Sequence, residues 1–480
     1  MTILDFLSLL PHTVLLVWAA ILLLVDLAIP KHRKGITALL AAIGLTISLV
    51  LVIAQTGQNQ LSYNRMAVVD GFSIFMNILY PLAGIAAVAI APDYLRRFNL
   101  ERGEYYPLLL FSIAGMMLMS SAADLIIVFL ALELLSIPLY ILSAIAVDRT
   151  ESEEAGLKYF LLGAFASGFV LYGTAMVYGA TGFTDIQEIV LVIASGKAIS
   201  GLLLAGGGLL LIGFGFKVAA FPFQMWTPDV YQGAPSPVTG FMSVGAKAAG
   251  FAALVRVFAF IFPQMAVNLA PIMAILAALT MVFGNIAAVT QGNIKRMLAY
   301  SSIAHAGYLL MAFVAYDQVA AGKNSIASIL FYLFSYAIAS LGAWAVVTAM
   351  EKAEGKGLAI TDYAGLGKKQ PALAAAMAVF MLSFTGIPPA LGFWGKLYLF
   401  QTTIEGGYLW LAIVGLLTSV ASAWYYLRVI VMMYMREGEP EVTRDKWVKI
   451  VPYAAAVSLL VIGLIPGRLL DWALQAILQI

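Results

Sequence analysis

The sequence predicts an all-α polytopic membrane protein of about 14 transmembrane helices, with two inverted five-helix repeats in which helices 7 and 12 are broken. Three observations carry this. Long apolar runs recur from end to end of the 480 residues. Only 11% of the residues are charged, against about 25% in ordinary soluble domains. Two of the apolar runs are too long and too interrupted by proline and glycine to be straight spans.

A helix needs about 20 apolar residues to cross a hydrocarbon core roughly 30 Å thick. Runs of that kind lie at 13–29, 36–55, 70–92, 104–121, 123–147, 156–180, 200–222, 237–261, 268–290, 295–316, 325–350, 371–404, 407–435 and 449–467; they are numbered spans 1 to 14. Span 1 lacks the basic leader and small-residue cleavage site of a signal peptide, and Asp26 interrupts its end, so it reads as a retained span. Of the 27 Lys and Arg residues, 17 fall in loops on one side (31–34, 96–102, 149, 295–296, 352–369 and 436–449) and four (Arg65, Lys197, Lys323, Arg468) on the other. The positive-inside rule makes the first side cytoplasmic and puts both termini outside the cytoplasm.

The remaining six, Lys158, Lys217, Lys247, Arg256, Lys396 and Arg428, lie within apolar segments. Arg256 and Arg428 sit near the ends of their spans, where a long side chain can snorkel to the headgroups. Glu133 and Lys247 each lie ten residues into a span, and His305 lies ten residues beyond Lys295. At a rise of about 1.5 Å per residue, all three reach roughly 15 Å, the middle of the membrane. A charge there costs about 3 kcal/mol on insertion scales, whereas polar contacts that merely glue helices contribute about 1 kcal/mol or less. Serine would glue as well, so Glu133, Lys217 and Lys247 read as functional, while His305 reads equally as a neutral core residue.

In "GFGFKVAAFPFQMWTPD" (213–229), Lys217 stands shortly before Pro222, and Pro228 follows. In "SFTGIPPALGFWGKLYLF" (383–400), Gly386, Pro388 and Pro389 break the run and Lys396 follows the break. Irregular backbone at membrane depth survives only when it is buried in protein or lines a wet cavity. The two broken spans are five apart, and a repeat of five crossings inverts because five is odd. Paired interrupted helices in corresponding places point to a transport site. The expected organisation is therefore three N-terminal helices (1–103), a first repeat (104–264, spans 4–8), a second inverted repeat (265–436, spans 9–13), and a C-terminal helix with a short tail (437–480). A set of Glu, Lys and His at mid-depth suits protons better than a bulky solute: moving Glu133 toward or away from Lys217 changes how readily the amine holds its proton.

These residues resemble the antiporter-like membrane subunits of respiratory complex I, the proton-pumping NADH:quinone oxidoreductase, over essentially the whole chain. "FPFQMWTPDVYQGAPSPVTGF" followed by "SVGAKAAGF" is similar to the N-type branch, and "GNIKRMLAYSSIAHAGY" to the superfamily at large. The resemblance implies two inverted five-helix bundles and a proton-translocating role in the membrane arm. Glu133 is then paired with Lys217, Lys247 stands on span 8, His305 continues the axis on span 10, and Lys396 faces one exit from span 12. Lys158 and Asp229 join the set in secondary places, Asp229 through the TPD turn. Where the family commonly has His this chain has Gln224, which cannot relay a proton by changing charge. The implied partners are the adjacent antiporter-like subunits, other membrane-arm subunits, the peripheral redox arm at a distance and the lipid bilayer of a bacterial inner membrane, with no nucleic acid. Flavin (FMN), iron–sulfur clusters and quinone are implied in other subunits.

The composition agrees with that division. There is no cysteine to ligate an iron–sulfur cluster, and the histidines, His12, His32 and His305, are scattered. No metal-ligand spacing occurs, and the glycine-rich 204–216 lies within the membrane, out of context for a dinucleotide site. Three other readings fit parts of the sequence: a subunit of a multi-subunit sodium/proton antiporter, a non-transporting scaffold for a redox enzyme, and a subunit of a related ferredoxin- or deazaflavin-dependent quinone oxidoreductase. The loop 351–370 reads as a solvated connector or a contact with a neighbouring subunit. The tail "LLDWALQAILQI" is too short to span.

Overall fold

The computed structural model describes residues 3–30, 33–261, 266–317, 321–352, 355–443, 445 and 447–476. The expected 264/265 repeat junction, Lys31, His32, Arg444, Lys446 and the last four residues of the tail lie outside them. Among the described residues, twelve helices are long and apolar enough to cross a membrane. Span 4 (Tyr105–Ser121) and the interrupted span 12 (Pro371–Thr385 with Leu391–Glu405) bring the crossings to the expected fourteen. Spans 8, 10 and 11 form the centre, with 94%, 94% and 89% of an 18-residue apolar stretch of each buried. Spans 1, 6, 13 and 14 are buried by 39% or less, as outer helices with one face toward lipid. The tail contains a ten-residue amphipathic helix, Pro466–Gln475, packed on span 11.

Matching local geometry marks two related five-helix units. Asp124 caps span 5 (Leu125–Ser143), and Asn293 caps span 10 (Ile294–Phe313), each accepting hydrogen bonds from backbone N–H groups of the first turn. Beside each cap the chain is tied by a pair of backbone hydrogen bonds to the segment that follows the next helix. Leu125 N–H donates to Thr184 O and Ile186 N–H to Ala123 O, both at 3.0 Å. Ile294 N–H donates to Leu358 O at 2.8 Å and Ile360 N–H to Gly292 O at 2.9 Å.

The two breaks match as well. The first half of span 7, Ser200–Val218, ends on Ala219 in the left-handed region (φ 62), and the chain resumes helix at Trp226–Gly233. The first half of span 12 ends on Gly386 (φ 89). At both, the residue after the left-handed one donates back to the carbonyl five positions earlier: Ala220 N–H to Gly215 O at 2.8 Å, and Ile387 N–H to Leu382 O at 3.0 Å. This is the Schellman closure, which satisfies carbonyls that a broken helix leaves orphaned.

Glycine sets the packing of span 7 on span 6 (Thr150–Thr181). A Cβ on Gly173 or on Gly206 would stand 2.9 Å from the other's carbonyl oxygen, so neither backbone leaves room for a side chain.

Three expectations are corrected. Arg256 does not snorkel. It is fully buried and forms a two-pronged pair with Asp70, at 2.7 and 3.0 Å, plus a 2.6 Å hydrogen bond to Ser120 O. Asp70 also caps span 3 (Gly71–Arg97), so the Arg256–Asp70 pair fixes spans 3, 4 and 8 together. Lys295 belongs to no solvated loop: it is buried, and its Nζ donates to Ala234 O at 2.7 Å. The connector 351–370 is only partly solvated, because Glu351, Ile360, Tyr363 and Leu366 are buried. Its lysines reach the loop before span 14, Lys369 meeting Glu439 at 2.5 Å and Lys352 meeting Glu441.

Two tests follow from these pairs. Arg256→Met strands a buried carboxylate and lowers stability by about 3–5 kcal/mol, read as the unfolding midpoint in detergent. Adding Asp70→Asn, which keeps the cap, recovers most of that loss. At the surface, the hydrogen bond from Lys352 holds the Glu441 carboxyl below its usual 4.5. A depressed carboxyl contributes above its unfolded value and loses the contribution as pH falls through the folded one. Glu441→Gln therefore lowers the midpoint slightly at pH 7 and low salt, and the effect vanishes in acid or in about 1 M salt.

Candidate functional site

Lys217 lies in the last turn of the first half of span 7, beside the break. Its Nζ donates to Ser136 Oγ on span 5 at 2.7 Å and lies 3.5 Å from Tyr159 OH on span 6. The stem fills a space left by Gly250 on span 8, where a Cβ would come within 3.2 Å of Lys217 Cγ. Lys247 stands one turn before Gly250, immediately after a π-helical segment, Met242–Ala246. Such bulges are frequent at functional sites. Lys247 Nζ donates to both Oγ and O of Ser302 on span 10.

One turn further along span 10, the His305 ring is held from both sides, Nδ1 at 2.5 Å from Tyr332 OH and Nε2 at 3.0 Å from Tyr426 OH. Tyr426 in turn shares a hydrogen bond with Ser301. Lys247 and Lys396 are both close enough to His305 to act on it electrostatically. Lys396, on the second half of span 12, donates to Ser419 Oγ on span 13 at 2.7 Å and to Thr385 O at 3.0 Å.

That last bond explains why one lysine precedes its break while the other follows it. Thr385 is the final residue of the first half of span 12, so the Lys396 ammonium reaches back to an orphaned carbonyl at that helix end. Lys217 occupies the last turn of the first half of span 7 directly. Each break thus has an amine at the C-terminal end of a half-helix, where the macrodipole favours positive charge.

Glu133 forms no ion pair with Lys217 within 4 Å; Ser136, one turn on, holds the amine instead. Glu133 is half-buried, its Oε1 has no hydrogen-bond partner, and it still acts on Lys217 electrostatically. Gln224 is buried in the break with an unpartnered Oε1. Asp229 joins Lys158 at 2.6 Å and Arg296 at 2.8 Å, tying the helix after the break to spans 6 and 10. Lys158 also pairs with Glu154 and is 39% exposed, so it stands at the rim, away from the buried amines. Arg428 donates to Val289 O and Gln291 O at the end of span 9.

Sequence reasoning missed the hydroxyl partners Ser136, Ser302 and Ser419. Ser136 and Ser302 each lie one turn from a residue already singled out, Glu133 and His305, which was the available signal.

The transmembrane family described as NADH:quinone oxidoreductase/Mrp antiporter matches residues 122–422, from the cap of span 5 into span 13. The chain belongs to this family. Among relatives of the NADH:quinone oxidoreductase/Mrp antiporter family, the NADH-quinone oxidoreductase subunit N of Trichlorobacter lovleyi is 47% identical, over 97% of this chain and 96% of its own. The subunit N of Chloroflexus aggregans is 45% identical, over 96% and 95%. A chain of respiratory complex I from Thermus thermophilus, solved with bound aureothin, superposes with a TM-score of 0.83 at 36% identity, covering 96% of this chain and 98% of that one.

The two breaks of this family member make opposite predictions. Ala219 bears the strain of a left-handed conformation without being glycine, at a cost of about 1–2 kcal/mol. Ala219→Gly relieves it and raises the unfolding midpoint. Gly386→Ala introduces the same strain and sets a Cβ 3.0 Å from Lys396 Cδ. That variant lowers the midpoint by a similar amount and displaces Lys396.

Proposed function

We propose that this chain is a membrane-arm subunit of a proton-translocating NADH:quinone oxidoreductase, and that Glu133, Lys217, Lys247, His305 and Lys396 form its proton path. One observation carries the proposal: the amines of Lys217, Lys247 and Lys396 are each held by a serine hydroxyl. A carboxylate partner would fix a lysine in its charged form. A hydroxyl accepts from an ammonium and donates to a neutral amine, so the contact survives either state. Lysines partnered in this way can load and release protons without dismantling their surroundings. His305 between two tyrosine hydroxyls repeats the arrangement.

The same chemistry favours protons over sodium, because a hard cation needs a shell of oxygen ligands, and here each station presents an amine. Lys158 and Asp229 act at the rim, positioning the helix after the first break. Gln224, with an open carbonyl oxygen, orients water in place of a charged relay. The units 104–264 and 265–436 each hold one broken helix. The basic face is cytoplasmic in a bacterial inner membrane, and both termini lie on the far side. Neighbouring antiporter-like subunits pack on the outer spans. Flavin, iron–sulfur clusters and quinone chemistry reside in other subunits of the complex, in keeping with a chain that has no cysteine.

Lys217→Met preserves the volume of the stem and removes the titrating amine. In an assembled complex, NADH-driven proton translocation into vesicles falls at least about tenfold, toward the 10²–10⁴ of a full general acid–base loss. Unchanged translocation per NADH oxidised, with normal assembly, defeats the proposal.

A further inference from the structure

We propose that Glu351 is the proton-uptake residue at the basic face, and that it feeds Lys247 along the seam between spans 8 and 11; this rests on the proton path proposed above. Glu351 terminates span 11 (Gly322–Met350) and is 1% exposed. Two cations pair with it at long range. Lys295 Nζ is 3.9 Å away and spends its short hydrogen bond on Ala234 O, and Arg149 Nη1 donates a long hydrogen bond to Oε1 at 3.5 Å. Arg97 binds the backbone carbonyls of Glu351 and Thr348, and pairs with Asp93. The groups that hydrogen-bond the carboxyl closely are neutral hydroxyls: Ser236 donates to Oε2, and Tyr94 to Oε1 at 3.2 Å. Tyr363 also interacts with it electrostatically.

The contrast with Arg256–Asp70 decides the reading. That pair is two-pronged, short and sealed, the geometry of a lock. Glu351 has loose charges and hydroxyl partners, the geometry of the lysine stations. Arg149 is 30% exposed, so the cluster opens to water on one side.

From Ser236 a polar line continues inward. Ser243, seven residues along span 8 and roughly 10 Å further in, shares a 2.9 Å hydrogen bond with Ser340 on span 11. The Tyr336 hydroxyl lies beside both Ser340 and Ser302. Ser302 holds Lys247. The roughly 10 Å between Ser236 and Ser243 is closed at rest by the contact of Gly240 with Trp344, and the transfer runs when that seam parts to admit two or three waters. In the transfer, Glu351 takes a proton from hydronium at the basic face, leaving water. The carboxyl then gives its proton through the hydroxyl line to the neutral Lys247 amine, regenerating carboxylate and leaving ammonium.

The test uses the whole complex in inside-out vesicles, with the cytoplasmic face toward the medium, and follows NADH-driven proton uptake against external pH. Glu351→Gln keeps the hydrogen-bonding shape and cannot carry the proton. It is expected to slow uptake roughly tenfold, less than the 10²–10⁴ of a full general acid–base loss, because water can bypass one carboxyl. The slowing is expected to be greatest at alkaline external pH. Glu351→Asp restores most of the rate. A structural role would not move the pH profile. A Glu351→Gln complex with native rate and profile overturns the inference, and does so without touching the proton path if Lys217→Met and Lys247→Met still stop pumping. Should Glu351→Gln fail to assemble, the double variant Ser243→Ala, Ser340→Ala interrupts the line with no change of charge. Slowed uptake then supports the inference and a native rate overturns it.

Discussion

Hydrocarbon offers no hydrogen-bond partner to a peptide group, so every interrupted backbone inside a membrane must be satisfied by the protein itself. This chain interrupts two of its crossings and meets the demand the same way twice. A left-handed residue, Ala219 or Gly386, lets the next N–H turn back onto an orphaned carbonyl. An amine occupies the same helix end, Lys217 in the last turn of one half-helix and Lys396 reaching the terminal Thr385 carbonyl of the other. Such breaks are tenable only under cover. The surrounding helices, with spans 8, 10 and 11 at the centre, supply that cover, and the molecule is built outward from the requirement.

Charge is buried in two distinct ways. Arg256 and Asp70 meet through two short hydrogen bonds with almost no solvent exposure, and Asp70 caps a helix besides. Breaking such a pair is costly, and its charge is in effect permanent. Lys217, Lys247 and Lys396 rest on serines and backbone carbonyls, without a carboxylate within ion-pair distance. The first arrangement fixes helices 3, 4 and 8; the second keeps a titratable group solvated in either protonation state. Both occur on span 8, nine residues apart, so one helix carries a lock at one end and a buried amine on a hydroxyl at its middle.

The fourteen crossings were legible because 20-residue apolar runs and basic loops are signals of composition, which survive without any knowledge of packing. The breaks were legible because Pro222, Pro388 and Pro389 forbid regular helix locally. What was not legible is what depends on who faces whom. Arg256 looked like a snorkelling end residue because nothing in its own span reveals that Asp70, 186 residues earlier, points at it. Lys295 looked like loop charge, yet it starts a buried helix. Glu133 and Lys217 read as partners in sequence, whereas the amine rests on Ser136; only the one-turn spacing from Glu133 separates that serine from a packing residue. Glu351 was lost inside a charged loop for the same reason.

The order of the stations has an electrostatic consequence. Lys247 and Lys396 both act on His305, and Glu133 acts on Lys217 through space without a direct bond. Two like charges about 10 Å apart in an effective dielectric of 20 repel by about 1.7 kcal/mol, more than tenfold in an equilibrium. In the proposed path, a charge on one station therefore raises the cost of loading a second at such a distance. In the proposed path the half-buried carboxyl of Glu133, with Oε1 unpartnered and no ion pair holding it to Lys217, biases one end of the series. Vectorial movement requires such asymmetry: a row of identical, equally solvated amines would conduct in both directions, whereas a row with a movable negative charge at one end can be filled and emptied in sequence.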